Sequence, residues 1–544
     1  MPVASTRSVA LNGIDGHLVE VEADVSQTLP GFVIIGLPDA ALGEARERVR
    51  LAASNSGCAL TDRKLTVNLS PASLPKHGSS FDLAIALACL AAAGSISATS
   101  VRRVVHVGEL RLDGRLRPSA GVLPAALSAR RAGADTVMVP AGNVAEASLV
   151  SGLEVVGVHT LREAAIWHGG EFARLVQLDH DGSNPISDAD GFGESSADAS
   201  VVVAPGEPGL RVGPGGDGAV QSAPDGDLSD VVGNPDAVES LIVAAAGGHN
   251  LSLLGPPGSG KTMLAARLSG LLPDLDEEAS LEASCIRSLA GHPLNGGLVT
   301  RPPIESPHHT ASAAAMIGGG STIIRPGAAA RAAHGILFLD EAPEFAPAVL
   351  DSLRQPLESG TITIHRARVT ASFPGRFQLV LAANPCPCGN YGVRDSECTC
   401  PPTLRRRYLG RISGPLNDRI DIHLAVNRIT ANQLRVADEI PRISTADGRA
   451  RVEAARERAR ARLKTTPWRT NSQVPGTWLR HPDNRLPYPT VRSLDLALER
   501  GLITMRGFDR VLRLSWTLAD LGLEPQPTKE HVGQALYLRR GVSS

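Results

Sequence analysis

Three glycines and a lysine within eight residues, Gly255-Pro256-Pro257-Gly258-Ser259-Gly260-Lys261-Thr262, restrict what this chain can fold into more than any other stretch. The pattern is G-x-x-x-x-G-K-[ST], and its flanks agree with it: residues 250–254 read as a strand and 263–271 as the helix that follows. A strand–loop–helix unit of this kind belongs to an α/β fold with parallel strands. The glycines let backbone N–H groups wrap an anion, and the helix N-terminus adds a favourable dipole. On this pattern residues 255–260 cradle the phosphates of ATP, Lys261 reaches the β- and γ-phosphates, and the Thr262 hydroxyl ligates Mg²⁺.

Such a loop needs a second half, an apolar strand ending in acid. Ile336-Leu337-Phe338-Leu339-Asp340-Glu341 supplies it. Asp340 would hold Mg²⁺ through water, and Glu341 would polarise the attacking water. A third strand, residues 378–383, ends in Asn384, placed to orient that water. Further on stands Arg419. An arginine offered to a neighbouring subunit's γ-phosphate stabilises transition-state charge, although spacing alone fits a salt bridge within the chain better.

At 544 residues the chain is too long for one core. Residues 1–170 mix strand-like runs (32–35, 65–69, 104–107, 136–139) with helical ones (40–53, 83–93, 123–132), as in a compact α/β or α+β domain. Residues 171–230 read as an acidic linker. Its 181–230 part holds ten Gly, five Pro and ten Asp/Glu against one Arg, too little apolar surface to fold alone, with a short ordered piece at 200–203. Residues 231–430 alternate strand and helix, and 431–544 are helical. The longest apolar run, residues 83–93, falls short of the roughly 20 residues a bilayer needs and reads as a buried helix. A cytoplasmic protein with no membrane partner is expected. Residues 404–544 carry 26 Lys/Arg against 14 Asp/Glu. Charge alone leaves two readings open: a polyanionic partner, or solvated Arg-rich helix faces.

Together these elements resemble the AAA+ superfamily, and specifically its magnesium-chelatase-like ComM/YifB family. Supporting stretches include Pro307-His308-His309-Thr310, Leu353-Arg354-Gln355-Pro356-Leu357-Glu358, Asn384-Pro385-Cys386-Pro387-Cys388-Gly389 and Ile412-Ser413-Gly414-Pro415-Leu416, with Val67-Asn68-Leu69-Ser70-Pro71-Ala72 in the first block. The resemblance implies a P-loop AAA+ core with a C-terminal helical lid, assembled as a hexameric ring with ATP between subunits. It makes Arg419 the arginine finger, Asn384 the sensor-1 residue and Arg506 the sensor-2 residue. The hairpin-like segment 361–370, with His365, Arg366 and Arg368 near its turn, is similar to the insertion that related ring helicases point at DNA; an exposed basic hairpin is its plain alternative. The chain departs from the family at Asn417, Ala328 and Ser515-Trp516. These departures put the coupling of nucleotide to ring motion in doubt.

The first block resembles a Lon-protease-like, ribosomal S5 domain 2-like α+β domain. Ser80 stands where that family has its nucleophile, but Ala125 occupies the lysine's place and cannot serve as the base. Proteolysis is therefore rejected. Cys386-x-Cys388 and Cys398-x-Cys400 could close four thiolates around Zn²⁺, bracing the Asn384 and Arg419 regions, or stand unligated in a Pro/Gly loop. The resemblance to the ComM/YifB family implies a ring-shaped DNA motor working on branched or single-stranded DNA without sequence preference, as a helicase or in branch migration, and the basic C-terminal third and the basic hairpin fit this. A metal-chelatase ATPase subunit and a protein-remodelling ATPase are the alternatives.

Overall fold

The computed structural model of the chain describes residues 3–172, 201–203 and 226–541, apart from 28, 37–38, 72–73, 75, 77, 295, 321–323, 367–369, 393–396 and 437–440. Buried and half-exposed residues alternate along β1 (Ala4–Asn12) and β2 (Asp15–Ser26), which pair antiparallel from Ala4↔Ala23 to Asn12↔Asp15. Gly13, at φ 67°, makes the turn between them. With β3 (Phe32–Ile35), β4 (Lys64–Ser70), β5 (Val104–His106), β6 (Thr136–Pro140), β7 (Glu154–Val158) and β8 (Val201–Val203) they form one mixed sheet, in the order β8-β7-β6-β5-β1-β2-β4-β3. Helices α1 (Asp39–Asn55), α2 (Asp82–Ala92) and α3 (Val122–Arg131) correspond to the three helical runs expected there. Every residue of α2 from Asp82 to Ala91 is buried, so the longest apolar run is indeed a core helix.

The acidic segment falls mostly outside the described residues. Its piece at 201–203 is an edge strand, antiparallel to β7. The third block begins slightly earlier than expected. Leu228 is buried in its hydrophobic cluster, and Asp227 accepts the Thr445 N–H at 3.0 Å.

After α4 (Pro235–Gly247), the core strands are β9 (Leu251–Leu254), β10 (Ile304–Glu305), β11 (Ile336–Leu339), the hairpin pair β12 (Thr361–His365) and β13 (Thr370–Pro374), then β14 (Gln378–Ala383) and β15 (Ile422–Ala425). Five of them make an all-parallel sheet in the order β10-β11-β14-β9-β15. β11 and β14 are buried at every position, as in a sheet covered on both faces. Helices α5 (Lys261–Leu271) and α6 (Glu277–Leu289) follow β9. α7 (Pro402–Leu409) lies on the return from β14 to β15.

The C-terminal helical segment, expected to be the lid, comprises α8 (Thr445–Arg462), α9 (Tyr488–Glu499), α10 (Met505–Leu521) and α11 (Lys529–Arg540). It has no separate core: Val452, Leu494, Val511 and Val532 join Leu241, Leu251 and Val380 in one buried cluster. The N-terminal block is also fastened to the ATPase. Cys285, Leu294 and Leu298 enter its apolar cluster, Gly121 donates to the Ser288 carbonyl at 3.1 Å, and Glu146 accepts the Ser288 hydroxyl.

Several arginines of the Arg-rich stretch are paired within the chain. Arg451 makes two 2.9 Å bonds to Glu239, Arg449 reaches Asp274 and Glu453, Arg456 donates to the Ala245 carbonyl and Arg462 pairs with Asp520. Arg449, Arg451 and Arg456 thus tie α8 to the preceding block, while Arg462 ties α8 to α10, a reading that charge counting did not offer.

One polar chain crosses the N-terminal core. Thr6 Oγ1 meets His106 Nδ1 at 2.7 Å, His106 Nε2 meets His168 Nε2 at 2.9 Å, and His168 Nδ1 meets Ser100 Oγ at 2.8 Å. Burial pushes His106 well below its ordinary range, with His168 and Arg7 adding to the effect, and burial takes His168 down to about 4. Both folded values lie below the unfolded histidine value of about 6.5. The unfolded chain therefore takes up more protons, and stability is lost as pH falls from about 6.5 towards 4. Urea midpoints followed by circular dichroism should drop over that range. His168→Gln should lower the midpoint at neutral pH yet flatten its acid slope; an unchanged slope would show that the pair does not govern it.

Candidate nucleotide site

The phosphate loop joins the end of β9 to α5. Gly258 and Gly260 take left-handed backbone (φ 75° and 90°), and a Cβ on Gly258 would meet no atom within 4 Å, so this turn of the loop faces open space. Gly255 has no such room: its Cβ would lie 2.1 Å from the Val426 carbonyl oxygen. The Gly255 N–H donates to the Ala383 carbonyl at 3.1 Å, which ties the loop to the end of β14.

Lys261 is buried. Its ammonium donates to the carbonyls of Gly255 (2.7 Å) and Pro256 (3.0 Å) and to Asn384 Oδ1 (3.1 Å). Burial lowers its pKa, while Asp340 and Glu341 work in the opposite direction. The Thr262 hydroxyl donates to Asp340 Oδ2 at 2.8 Å, and the Glu341 N–H donates to Asp340 Oδ1 at 2.9 Å. Glu341 itself stands at φ 50°, ψ 44°, left-handed backbone that a non-glycine residue rarely adopts and that clusters at functional sites. Lys261, Thr262, Asp340, Glu341 and Asn384 thus converge from three strand ends.

This arrangement fits ATP with Mg²⁺. The Ser259 hydroxyl is buried with no partner inside the loop, a polar atom waiting for one. The Thr262–Asp340 contact brings together the two oxygens expected at the metal. Pro256, Pro257 and Gly258 line the outer turn, where Arg428 donates twice to the Pro257 carbonyl (3.1 and 3.2 Å).

Arg419 and Arg506 lie elsewhere. β9 and β15 run parallel in register from Leu251↔Ile422 to Leu254↔Ala425. Arg419 precedes β15 while Gly255 follows β9, so the two stand at opposite ends of the sheet, separated by a four-residue strand of roughly 13 Å. Arg419 is buried, donates to the Pro415 carbonyl at 2.6 Å and pairs with Glu358. Arg506, at the start of α10, stands 3.5 Å from the same Glu358 carboxylate. The salt bridge that spacing favoured for Arg419 is therefore present, and Arg506 shares it.

The cysteine loop follows Asn384. Sulfur atoms lie 3.3 Å apart for Cys386–Cys388, 3.7 Å for Cys386–Cys398 and 3.7 Å for Cys388–Cys398, and all four ligand atoms, that of Cys400 included, lie within 4.8 Å of one another. No two are bonded. The cluster could hold a metal. The Asn390 backbone N–H, with help from the Cys386 thiol, holds Cys388 down to about 6. Its neighbour is the phosphate loop, since a Cβ on Gly389 would sit 2.4 Å from Pro257 Cδ. The expected brace between Asn384 and Arg419 is thus replaced by one between Asn384 and Pro257, because Arg419 is at the far end of the sheet.

Three residues escaped sequence reasoning in these roles. His309 Nδ1 stands 3.7 Å from the Glu341 carboxylate, Glu358 joins the two arginines, and Arg428 holds Pro257. His309 and Glu358 sat inside stretches that matched the family, which was the available signal. The hairpin β12–β13 forms as expected with His365 and Arg366 exposed, while Arg368 lies outside the described residues. In the N-terminal block Ala125 is buried in α3 and offers no base. No helix among the described residues is long and apolar enough to cross a membrane.

The chain matches the families described as Magnesium chelatase, subunit ChlI (residues 227–434), Subunit ChlI of Mg-chelatase (residues 21–143) and Magnesium chelatase, subunit ChlI C-terminal (residues 442–539). It is 44% identical to an uncharacterized protein of Mycobacterium tuberculosis over 99% of each chain. It is 36% identical to the competence protein ComM of Haemophilus influenzae, over 100% of this chain and 98% of that one. With YifB of Escherichia coli the identity is also 36%, over 99% and 97%. A quarter of the chain is 29% identical to a stretch covering 18% of the Lon protease of Mycolicibacterium smegmatis. Likeness at this level along the full length means that the chain belongs to the ComM/YifB family of magnesium-chelatase-like AAA+ ATPases.

Proposed function

We propose that this ATPase is a ring-forming motor, a hexamer in the family's manner, that moves along DNA and remodels branched or single-stranded intermediates as a helicase or branch-migration enzyme. The observation that carries the ring is the separation of Arg419 from its own phosphate loop across the sheet. An arginine finger so placed serves the nucleotide of a neighbouring copy, and Arg506 goes with it through Glu358. The exposed His365 and Arg366 of the β12–β13 hairpin supply contacts to a phosphate backbone, which give affinity without sequence selectivity. Arg449, Arg451, Arg456, Arg458 and Arg462 of α8 are engaged within the chain, so the hairpin carries more of this part of the reading than α8 does.

Mg²⁺–ATP supplies the anhydride bond whose hydrolysis releases the energy. Toward it, Lys261 exchanges its carbonyl partners for β- and γ-phosphate oxygens, and Thr262 and Asp340 hold the cation. Glu341 takes a proton from the attacking water, which Asn384 orients. For the four-cysteine loop the same reading takes Zn²⁺, which four thiolates suit best. A second reading, an ATPase subunit of a magnesium chelatase, draws on the matched family descriptions.

Lys261→Ala should abolish ATP binding, whereas Glu341→Gln should bind ATP and lose turnover roughly 10²-fold or more. Arg419→Ala should likewise bind ATP and lose turnover by about 10³-fold. Mixing Lys261→Ala with Arg419→Ala chains should restore measurable turnover, because some interfaces then combine an intact loop with an intact arginine. Two inactive proteins that stay inactive when mixed would sink the shared site. Separately, branched and single-stranded DNA should raise the ATPase rate at low salt and be remodelled only with ATP. An unchanged rate with no DNA binding would leave the chelatase reading in place.

A further inference from the structure

We infer that the four-cysteine loop is a metal-closed support for the phosphate loop, so that an occupied Cys386–Cys388–Cys398–Cys400 site sets the affinity for nucleotide. This rests on Zn²⁺ being the metal the loop takes. The sulfur atoms already have nearly the right spacing. Tetrahedral Zn²⁺ with Zn–S bonds of about 2.3 Å places its ligands about 3.8 Å apart, against the 3.3 and 3.7 Å found here. A disulfide would need sulfurs at about 2.05 Å, so the set is arranged for a shared ion rather than for pairing. Cys386 is fully buried and follows Asn384 by two residues.

Support passes through two contacts. Gly389, one residue beyond Cys388, touches Pro257 so closely that no side chain fits between them, and its φ of 77° is one that glycine adopts without strain. On the other side Arg428 grips the Pro257 carbonyl. Asn384, at the root of the cysteine loop, holds the Lys261 ammonium. The loop therefore walls one side of the phosphate cradle and positions the lysine at its base. Among its described residues, the fifteen-residue span from Cys386 to Cys400 is drawn together chiefly by its thiols, with the Gly389 N–H on the Cys386 carbonyl and Arg405 over the Tyr391 ring beside them; without a metal, the wall behind Pro257 loosens. The cysteines are positioning residues: none needs to touch ATP.

The test uses the full-length chain purified under reducing conditions. Elemental analysis should find about one Zn²⁺ per chain, and Co²⁺ in its place should show thiolate-to-cobalt charge-transfer bands. A zinc-selective chelator, with Mg²⁺ kept in excess, should weaken binding of a fluorescent ATP analogue by about tenfold or more, and added Zn²⁺ should restore it. Because Cys398→Ser removes a ligand and the loop's closure together, Gly389→Ala provides the second arm. It should retain its Zn²⁺ and its circular dichroism spectrum yet bind nucleotide about tenfold more weakly. Full Zn²⁺ occupancy with nucleotide affinity indifferent to both its removal and Gly389→Ala would overturn the support while leaving the metal site standing. Less than half an equivalent, even after reconstitution with Zn²⁺, would overturn both.

Discussion

Parallel pairing is the constraint on which everything else in this molecule depends. Because β10, β11, β14, β9 and β15 run the same way, all their C-terminal ends lie along one edge of the sheet. Lys261 and Thr262 follow β9, Asp340 and Glu341 follow β11, and Asn384 follows β14, so residues distant in sequence arrive within hydrogen-bond reach. The same geometry sends whatever precedes β15 to the opposite edge. Arg419 cannot join its own cradle without reversing a strand. The separation of Arg419 from the phosphate loop is thus a consequence of topology rather than of any particular side chain.

The far edge is organised around a buried carboxylate. Asp421 accepts the Asn250 N–H at 2.9 Å, pairs with Arg510 and lies 3.8 Å from His249 Nδ1. Burial opposes its ionisation, but Arg510 and His249, with Arg513 behind them, hold it well below the usual carboxylate range. Taking a charge out of water costs several kcal/mol unless partners offset it; here one partner, Arg510, comes from α10 of the lid. The start of β9, the start of β15 and α10 are thereby fixed to one point, a few residues from Arg419 and one turn beyond Arg506. The apolar cluster shared by lid and core acts in the same sense, since separating them would expose residues such as Phe508 and Val511.

The nucleotide half of the site was legible because its signals are local: a glycine pattern between strand and helix, an apolar run ending in Asp-Glu, a strand ending in Asn. For Arg419, spacing pointed to a salt bridge within the chain and family resemblance to a role at a neighbour's nucleotide; its partner Glu358 was not legible, since that pairing depends on which helix end folds against which strand start. Strands β1 and β2 passed unnoticed because Thr6, Arg7, Ser8 and the many charged residues of Asp15–Ser26 dilute the alternation, although burial restores it in the folded chain. Charge counting failed for α8 on similar grounds. A count of arginines says nothing about Glu239, Asp274 and Asp520, which lie far away in sequence and directly opposite in space.

The contacts of the N-terminal block bear on where motion can occur. Gly13, at the tip of the β1–β2 turn, would meet the Ser372 carbonyl of β13 at 2.0 Å if it carried a Cβ, and Ile14 beside it packs into the apolar cluster beneath the β12–β13 hairpin. Gly121, against Leu11, and Glu146 hold α6. Block, hairpin base, core and lid are therefore fastened to one another at several points, each by backbone contact or buried charge. In the proposed ring, the movement that ATP turnover drives would then fall between copies. There Glu358 links the two arginines of one chain, and a change at the neighbour's γ-phosphate would pull on the lid and on the strand start together.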